Sequence, residues 1–73
     1  MGISQIAVTE DPVYFADANL KVAVESALGI TNPTPTDMLL LTTLSASARG
    51  IVDLTGIEYA ANLTYLNLGR NVI

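Results

Sequence analysis

The clearest pattern of apolar and polar positions is a stripe that recurs every three or four residues between Asp17 and Gly29. Asp17 can accept hydrogen bonds from the free amides of a first helical turn. Gly29 stands where glycine ends many helices. We therefore expect a helix between these two residues, with one apolar side. The stripe consists of Leu20, Ala23, Val24, Ala27 and Leu28.

A second, shorter helix is predicted after a loop that contains two prolines. Residues 31–35 form the loop, because closely spaced prolines break both helix and central strand. Thr36 is the candidate N-cap, and Asp37 follows where a negative charge suits the helix dipole. This helix is expected to end near Thr43. Its expected buried residues are Met38, Leu40 and Leu41.

The C-terminal half contains a repeat with a period of 22 residues. A fixed period of this length is typical of stacked solenoid turns. The second copy follows L-x-x-L-x-L-x-x-N-x-I without a mismatch, whereas the first has Ala46 and Arg49 where Leu and Asn are expected. The copies are Leu41, Leu44, Ala46, Arg49 and Ile51, then Leu63, Leu66, Leu68, Asn71 and Ile73.

This spacing predicts a coil in which each turn lays one short strand beside the next, with strands expected at residues 44–47 and 64–68. The leucines that flank Asn67 face the same side, because side chains alternate along a strand. Asn71 belongs at the bend that follows, where its amide can satisfy backbone groups that have left the sheet. Gly56 permits a tight or 3₁₀ turn on the return path. The residues expected to line that path are Ile51, Leu54 and Ile57.

Composition and charge reduce the number of possible functions. Apolar residues make up 51% of the chain and charged residues 14%, which excludes a disordered chain. The net charge is −4 and no basic cluster exists, so neither nucleic acid nor an anionic membrane is expected as a partner. The densest apolar run, Met38–Leu41, is too short to cross a bilayer. Cys and His are absent, and no activated nucleophile is visible. We expect no enzyme, cofactor or metal site.

Several stretches resemble the N-terminal region of bacterial leucine-rich-repeat proteins of the internalin type. Residues 15–20 and 27–29 resemble the first cap helix of that family. Residues 41–44, 51–58 and 62–68 resemble its 22-residue repeat. The resemblance implies a secreted or surface-attached bacterial protein that binds other proteins through a concave sheet.

The expected fold is an α+β repeat solenoid, with two short cap helices followed by about one and a half leucine-rich-repeat turns with short parallel strands. Residues 1–12 are expected to form a flexible arm. Residues 13–43 form the helical cap, because the first turn of a stack cannot cover its own apolar end. Residues 44–73 form the repeat turns, truncated without a C-terminal cap.

The outward strand positions define a candidate concave surface. Tyr65 is its one aromatic residue, and tyrosine is enriched at interface hot spots. The alternative, that Tyr65 packs on a neighbouring turn, is favoured because two strands form a very small surface. The concave positions are Thr43, Ser45 and Ser47, then Tyr65, Asn67 and Gly69.

The unpaired outer side of the last strand leads us to predict self-association. That side lacks a strand partner, and unpaired strand groups template pairing with another chain. A homodimer with antiparallel edge strands is the simplest closed assembly. The alternative is a small helical binding or regulatory domain with an accidental repeat match, which predicts almost no strand. The self-association edge comprises Leu63, Thr64, Tyr65, Leu66, Asn67, Leu68 and Ile73.

Overall fold

The computed structural model describes residues 10–73, so most of the expected N-terminal arm lies outside the described residues. The fold is α+β, and no helix of the described part is long and apolar enough to span a membrane. In chain order the elements are helix α1 (Ala18–Leu28), helix α2 (Pro35–Met38), strand β1 (Thr43–Ser45), a 3₁₀ turn (Ile57–Tyr59) and strand β2 (Tyr65–Asn67).

Helix α1 begins and ends as its sequence predicts. The Asp17 side chain accepts a hydrogen bond from the Asn19 N–H. Gly29 adopts a left-handed conformation with φ of 69°, and its N–H donates to the carbonyl of Glu25. The buried stripe is narrower than predicted, because α1 packs against the edge of a two-stranded sheet. Ala27 is exposed, so that prediction was wrong. The fully buried members are Leu20, Ala23 and Val24.

Helix α2 starts two residues earlier than expected, and the assignment of Thr36 as N-cap was wrong. Thr34 is the N-cap: its hydroxyl accepts from the Asp37 N–H, and the Asp37 carboxylate accepts from the Thr34 N–H. Pro35 suits the first helical position, which needs no hydrogen-bond donor. The helix ends at Met38 rather than near Thr43. Leu40 is 67% exposed, contrary to the prediction.

The 22-residue repeat is visible in the backbone. Strands β1 and β2 pair in parallel, with Leu44 beside Leu66. Ala48 and Arg70 both adopt the left-handed conformation, with φ of 56° and 61°. Two segments 22 residues apart therefore follow the same path, which we call the first repeat segment (41–51) and the second repeat segment (63–73). The alternative of a helical domain with an accidental repeat is not supported.

Both strands are shorter than expected: β1 is Thr43–Ser45 rather than 44–47, and β2 is Tyr65–Asn67 rather than 64–68. Residues 13–15 form no strand, although Val13 and Phe15 are buried in alternation. The core lies between α1, the first repeat segment and the returning chain. The core residues are Val13, Phe15, Leu20, Ala23, Val24, Met38, Leu41, Leu44, Ala46, Ile51 and Ala60.

The return path is built around Gly56. Its φ is 109°, and an added Cβ would lie 2.5 Å from the Phe15 ring and 2.8 Å from the Tyr14 carbonyl oxygen. The 3₁₀ turn follows directly. Ile51 is fully buried, and Leu54 and Ile57 pack against the core as partly buried residues, in agreement with their predicted place.

Candidate interaction surface

The Asn71 side chain makes four hydrogen bonds of 3.0 Å or shorter, and three of them join the two repeat segments. Its Oδ1 atom accepts from the backbone N–H groups of Arg49 (2.9 Å) and Ile51 (3.0 Å). Its Nδ2 atom donates to the carbonyls of Ala46 (2.8 Å) and Leu68 (2.9 Å). The side chain therefore supplies hydrogen-bond partners to the backbone of two bends, that of the preceding turn and that of its own turn. Arg49 stands at the equivalent position of the first repeat segment, which has no such turn before it within residues 10–73.

The strand pairing leaves one side of β2 open. The N–H groups of Ala46 and Ala48 donate to the carbonyls of Asn67 and Gly69, both at 2.8 Å. The backbone carbonyls of Asn67 and Gly69 therefore face β1, and the alternation of a parallel ladder turns the N–H and C=O of Leu66 outward. Within residues 10–73 the sheet has two strands, so β2 pairs with β1 alone.

Apolar side chains accompany this open edge. Leu66 is 42% exposed, whereas Leu44 at the equivalent position of the first segment is 1% exposed. Ile73 is 61% exposed, and Leu63 and Leu68 are partly buried. Thr64 is exposed, but its hydroxyl donates to the Thr42 carbonyl at 3.0 Å, which ties it to the first segment. The predicted self-association residues thus lie together at one end of the core.

The predicted concave positions lie on one face of the sheet. Thr43 and Ser45 are exposed on either side of the buried Leu44. Tyr65 is 53% exposed beside Thr43. The Asn67 side chain is half-buried and accepts from the Gly69 N–H at 3.0 Å, which leaves it less free for a ligand. Ser47 is also half-buried.

The sequence analysis did not anticipate how the cap is joined to the repeat. Asp17 was assigned only to the start of α1, yet its carboxylate also accepts from the N–H groups of Val52 and Asp53. Asn19 donates through Nδ2 to the Gly50 carbonyl at 3.3 Å. No local pattern signals these bonds, because the partners are more than 30 positions apart along the chain.

Among the described residues, no three acidic side chains converge on a point that could hold a metal ion. The pKa of Asp53 is lowered, chiefly by hydrogen bonds from Thr55. The pKa of Glu10 is lowered, chiefly by a side-chain hydrogen bond with Thr36. Both carboxylates are therefore stabilised as anions, which does not suit a general acid.

These features define a leucine-rich-repeat type of structure: parallel strands 22 residues apart, a bend asparagine, and helices before the first strand. No family model matches the sequence. Solved structures do match, and they point to the internalin type. The chain is similar to an internalin from Listeria monocytogenes, with 29% identity and a TM-score of 0.75 over 92% of this chain and 22% of that one.

Two structures of ZmpB from Clostridium perfringens are also similar. Both contain a carbohydrate-binding module and INT domains, and one is a complex with GlcNAc. In that complex the identity is 33% and the TM-score 0.76, over 93% of this chain and 14% of that one. In the other structure the identity is 37% and the TM-score 0.75, over 90% of this chain and 14% of that one. The chain is thus an internalin-like leucine-rich-repeat segment, and it spans only a small part of each structure that it matches.

Proposed function

We propose that the segment is a non-enzymatic protein-interaction module that caps the start of a leucine-rich-repeat solenoid. Helices α1 and α2 close one end of the core, and β2 presents the other. The similarity to an internalin and to INT domains supports an interaction role. The observation that carries the proposal is the open side of β2, where outward backbone groups of Leu66 lie beside exposed apolar side chains.

In this proposal the chain associates with a second copy of itself through β2. Pairing supplies partners for the outward N–H and C=O groups of Leu66 and removes the side chains of Leu66 and Ile73 from water. Two identical edges meet most simply about a two-fold axis, which makes the paired strands antiparallel. Helix α1 contacts β1, so the proposed pairing involves β2.

The resemblance to internalins supports two further proposals. The protein that contains this segment is secreted or displayed on a bacterial surface. Its sheet face, with Thr43, Ser45 and Tyr65, contributes to the contact with a protein ligand. Neither proposal involves nucleic acid or a membrane surface, because the net charge of −4 opposes binding to both.

Sedimentation equilibrium over a wide concentration range tests self-association. The wild-type chain is expected to form dimers, and Leu66→Lys to shift the equilibrium towards monomer by at least about tenfold, because pairing would desolvate the new charge. Ile73→Lys provides a second edge variant at a more exposed position. Leu40→Lys is the matched control, since Leu40 is exposed on the cap, and it should dimerise like the wild type.

Circular dichroism of every variant establishes that it is folded before the association data are compared. A wild-type chain that stays monomeric at millimolar concentration would contradict the proposed dimer. Equal weakening by Leu66→Lys and Leu40→Lys would place the association elsewhere on the surface.

A further inference from the structure

The start of α1 is bonded to the chain that follows the first repeat segment through one carboxylate. One oxygen of Asp17, Oδ1, accepts from the Asn19 N–H at 2.8 Å, which is an ordinary helix cap. The other oxygen, Oδ2, accepts from the N–H of Val52 at 2.6 Å and from that of Asp53 at 3.3 Å. The Asp17 side chain is 7% exposed, so it is largely withdrawn from water.

This arrangement favours the ionised form of Asp17. Three backbone N–H donors point at its two oxygens, and an ionised carboxylate is a pure acceptor. A proton on Oδ2 would have to face the two donors of Val52 and Asp53. The backbone N–H of Val52 is the largest influence that lowers the pKa of Asp17, and burial opposes it.

We propose that Asp17 is an acid-sensitive latch whose protonation opens the junction between α1 and residues 50–53 before the rest of the fold unfolds. A further hydrogen bond across this junction, from Asn19 to Gly50, is exposed. Elsewhere α1 is held by the buried side chains of Leu20 and Val24, which do not titrate. Protonation therefore acts locally. The proposal does not rest on self-association, because the hydrogen bonds that support it lie within one chain.

The pH range follows from the direction of the pKa shift. Because the pKa of Asp17 is lowered in the fold, the latch is closed above the ordinary aspartate value of about 4 and is lost as pH falls through the lower folded value. Asp53 is the charged group that faces Asp17 from the returning chain, and its charge opposes ionisation of the pair. Along α1 the charged residues are Lys21 and Glu25, and the Glu25 carboxylate accepts from the Asn32 N–H.

A titration of the wild-type chain by nuclear magnetic resonance tests the latch without any mutation. The side-chain carboxyl carbon of Asp17 and the amide protons of Val52 and Asp53 should shift with one common midpoint, which lies below the ordinary aspartate pKa. The amide protons of Ala46 and Ala48, which bond to the second segment, should not follow that midpoint. A Val52 amide that does not respond when Asp17 titrates would overturn the proposal.

Asp17→Asn tests the same point at neutral pH, since asparagine remains a good helix cap but offers one acceptor oxygen instead of two. Hydrogen exchange at Val52 and Asp53 should become at least about tenfold faster, while Ala46 and Ala48 keep their protection. Asp53→Asn is the matched control, because its carboxylate bonds only locally, to Thr55. If hydrogen exchange became equally faster at all four amides, or did not change at Val52, the proposed role of Asp17 would be wrong.

Discussion

At the scale of single residues, the fold depends most on side chains that form hydrogen bonds with backbone groups of another segment. Asn71 bonds to Ala46, Arg49 and Ile51 of the first repeat segment. From the cap side, Asp17 bonds to Val52 and Asp53, which directly follow that segment. Each replaces hydrogen bonds that the backbone loses where the chain leaves a strand or helix. The two side chains thus bind neighbouring stretches of the chain: Asn71 binds the first repeat segment, and Asp17 binds the two residues after it.

Asn71→Ala should lower the free energy of unfolding by about 2 kcal/mol or more, because part-buried backbone groups at the bend lose their partners. Urea unfolding followed by circular dichroism measures the change. Asn67→Ala is the control: that side chain bonds only to the Gly69 N–H, two residues away, and should cost less than about 1 kcal/mol. Similar losses for the two variants would contradict the bridging role of Asn71.

Ala48→Gly should raise the free energy of unfolding by about 0.5–1 kcal/mol, because Ala48 holds a left-handed φ of 56° that glycine adopts without steric cost. Thermal unfolding measures the gain. The same substitution at Ala27, exposed in α1, should lower stability by about 1 kcal/mol. A loss at both positions would show that the bend at Ala48 is not strained.

At the scale of elements, the short pieces of secondary structure depend on close contacts between distant parts of the chain. The strands are three residues each, and α2 has four residues. None is long enough to be stable alone. Their positions are fixed by capping at Thr34, by strand register, and by the contact of Gly56 with Phe15.

Gly56→Ala should destabilise the fold by about 3 kcal/mol or more, because the new Cβ would lie within 3 Å of the Phe15 ring and the Tyr14 backbone. Gly29→Ala separates this contact from backbone strain, since Gly29 also has a positive φ but no atom within 4 Å of the added Cβ. That control should cost about 1–2 kcal/mol. Chemical denaturation of both variants gives the comparison, and equal costs would refute the close approach.

At the scale of the whole molecule, equivalent positions of the repeat have different environments. Leu44 is enclosed between α1 and the second segment, whereas Leu66 has the first segment on one side and solvent on the other. Within residues 10–73 the core is therefore closed at the cap end and open at β2. This asymmetry underlies the proposed dimer.

Leu44→Ala should cost about 3–4 kcal/mol and Leu66→Ala about 1 kcal/mol at concentrations where the chain is monomeric. The reason is burial: 1% exposure at Leu44 against 42% at Leu66. Unfolding of dilute samples measures both values. If Leu66→Ala costs more as the concentration is raised, the leucine is buried on association; equal costs in dilute solution would contradict the open end.

The capped helix, the repeat period, the strand register and the bend at Asn71 were all predicted from the sequence, because each depends on local spacing. The start of α2 was misplaced, because Thr34 and Thr36 are both plausible caps and the choice depends on the fit of Pro35 at the first helical position. The burial of Leu40 and Ala27 was overestimated, since periodicity identifies an apolar side but not how much of it a small sheet covers.

The sequence by itself determined that Leu44 and Leu66 lie side by side, because a repeat in the pattern imposes a repeat in the chain path. Only the tertiary structure decided which backbone groups form hydrogen bonds with Asp17 and Asn71, and which side of β2 has no strand partner within residues 10–73. The physical reason is distance along the chain. Hydrogen bonds between residues 20 to 36 positions apart form only after the turns have stacked, so no local pattern encodes them.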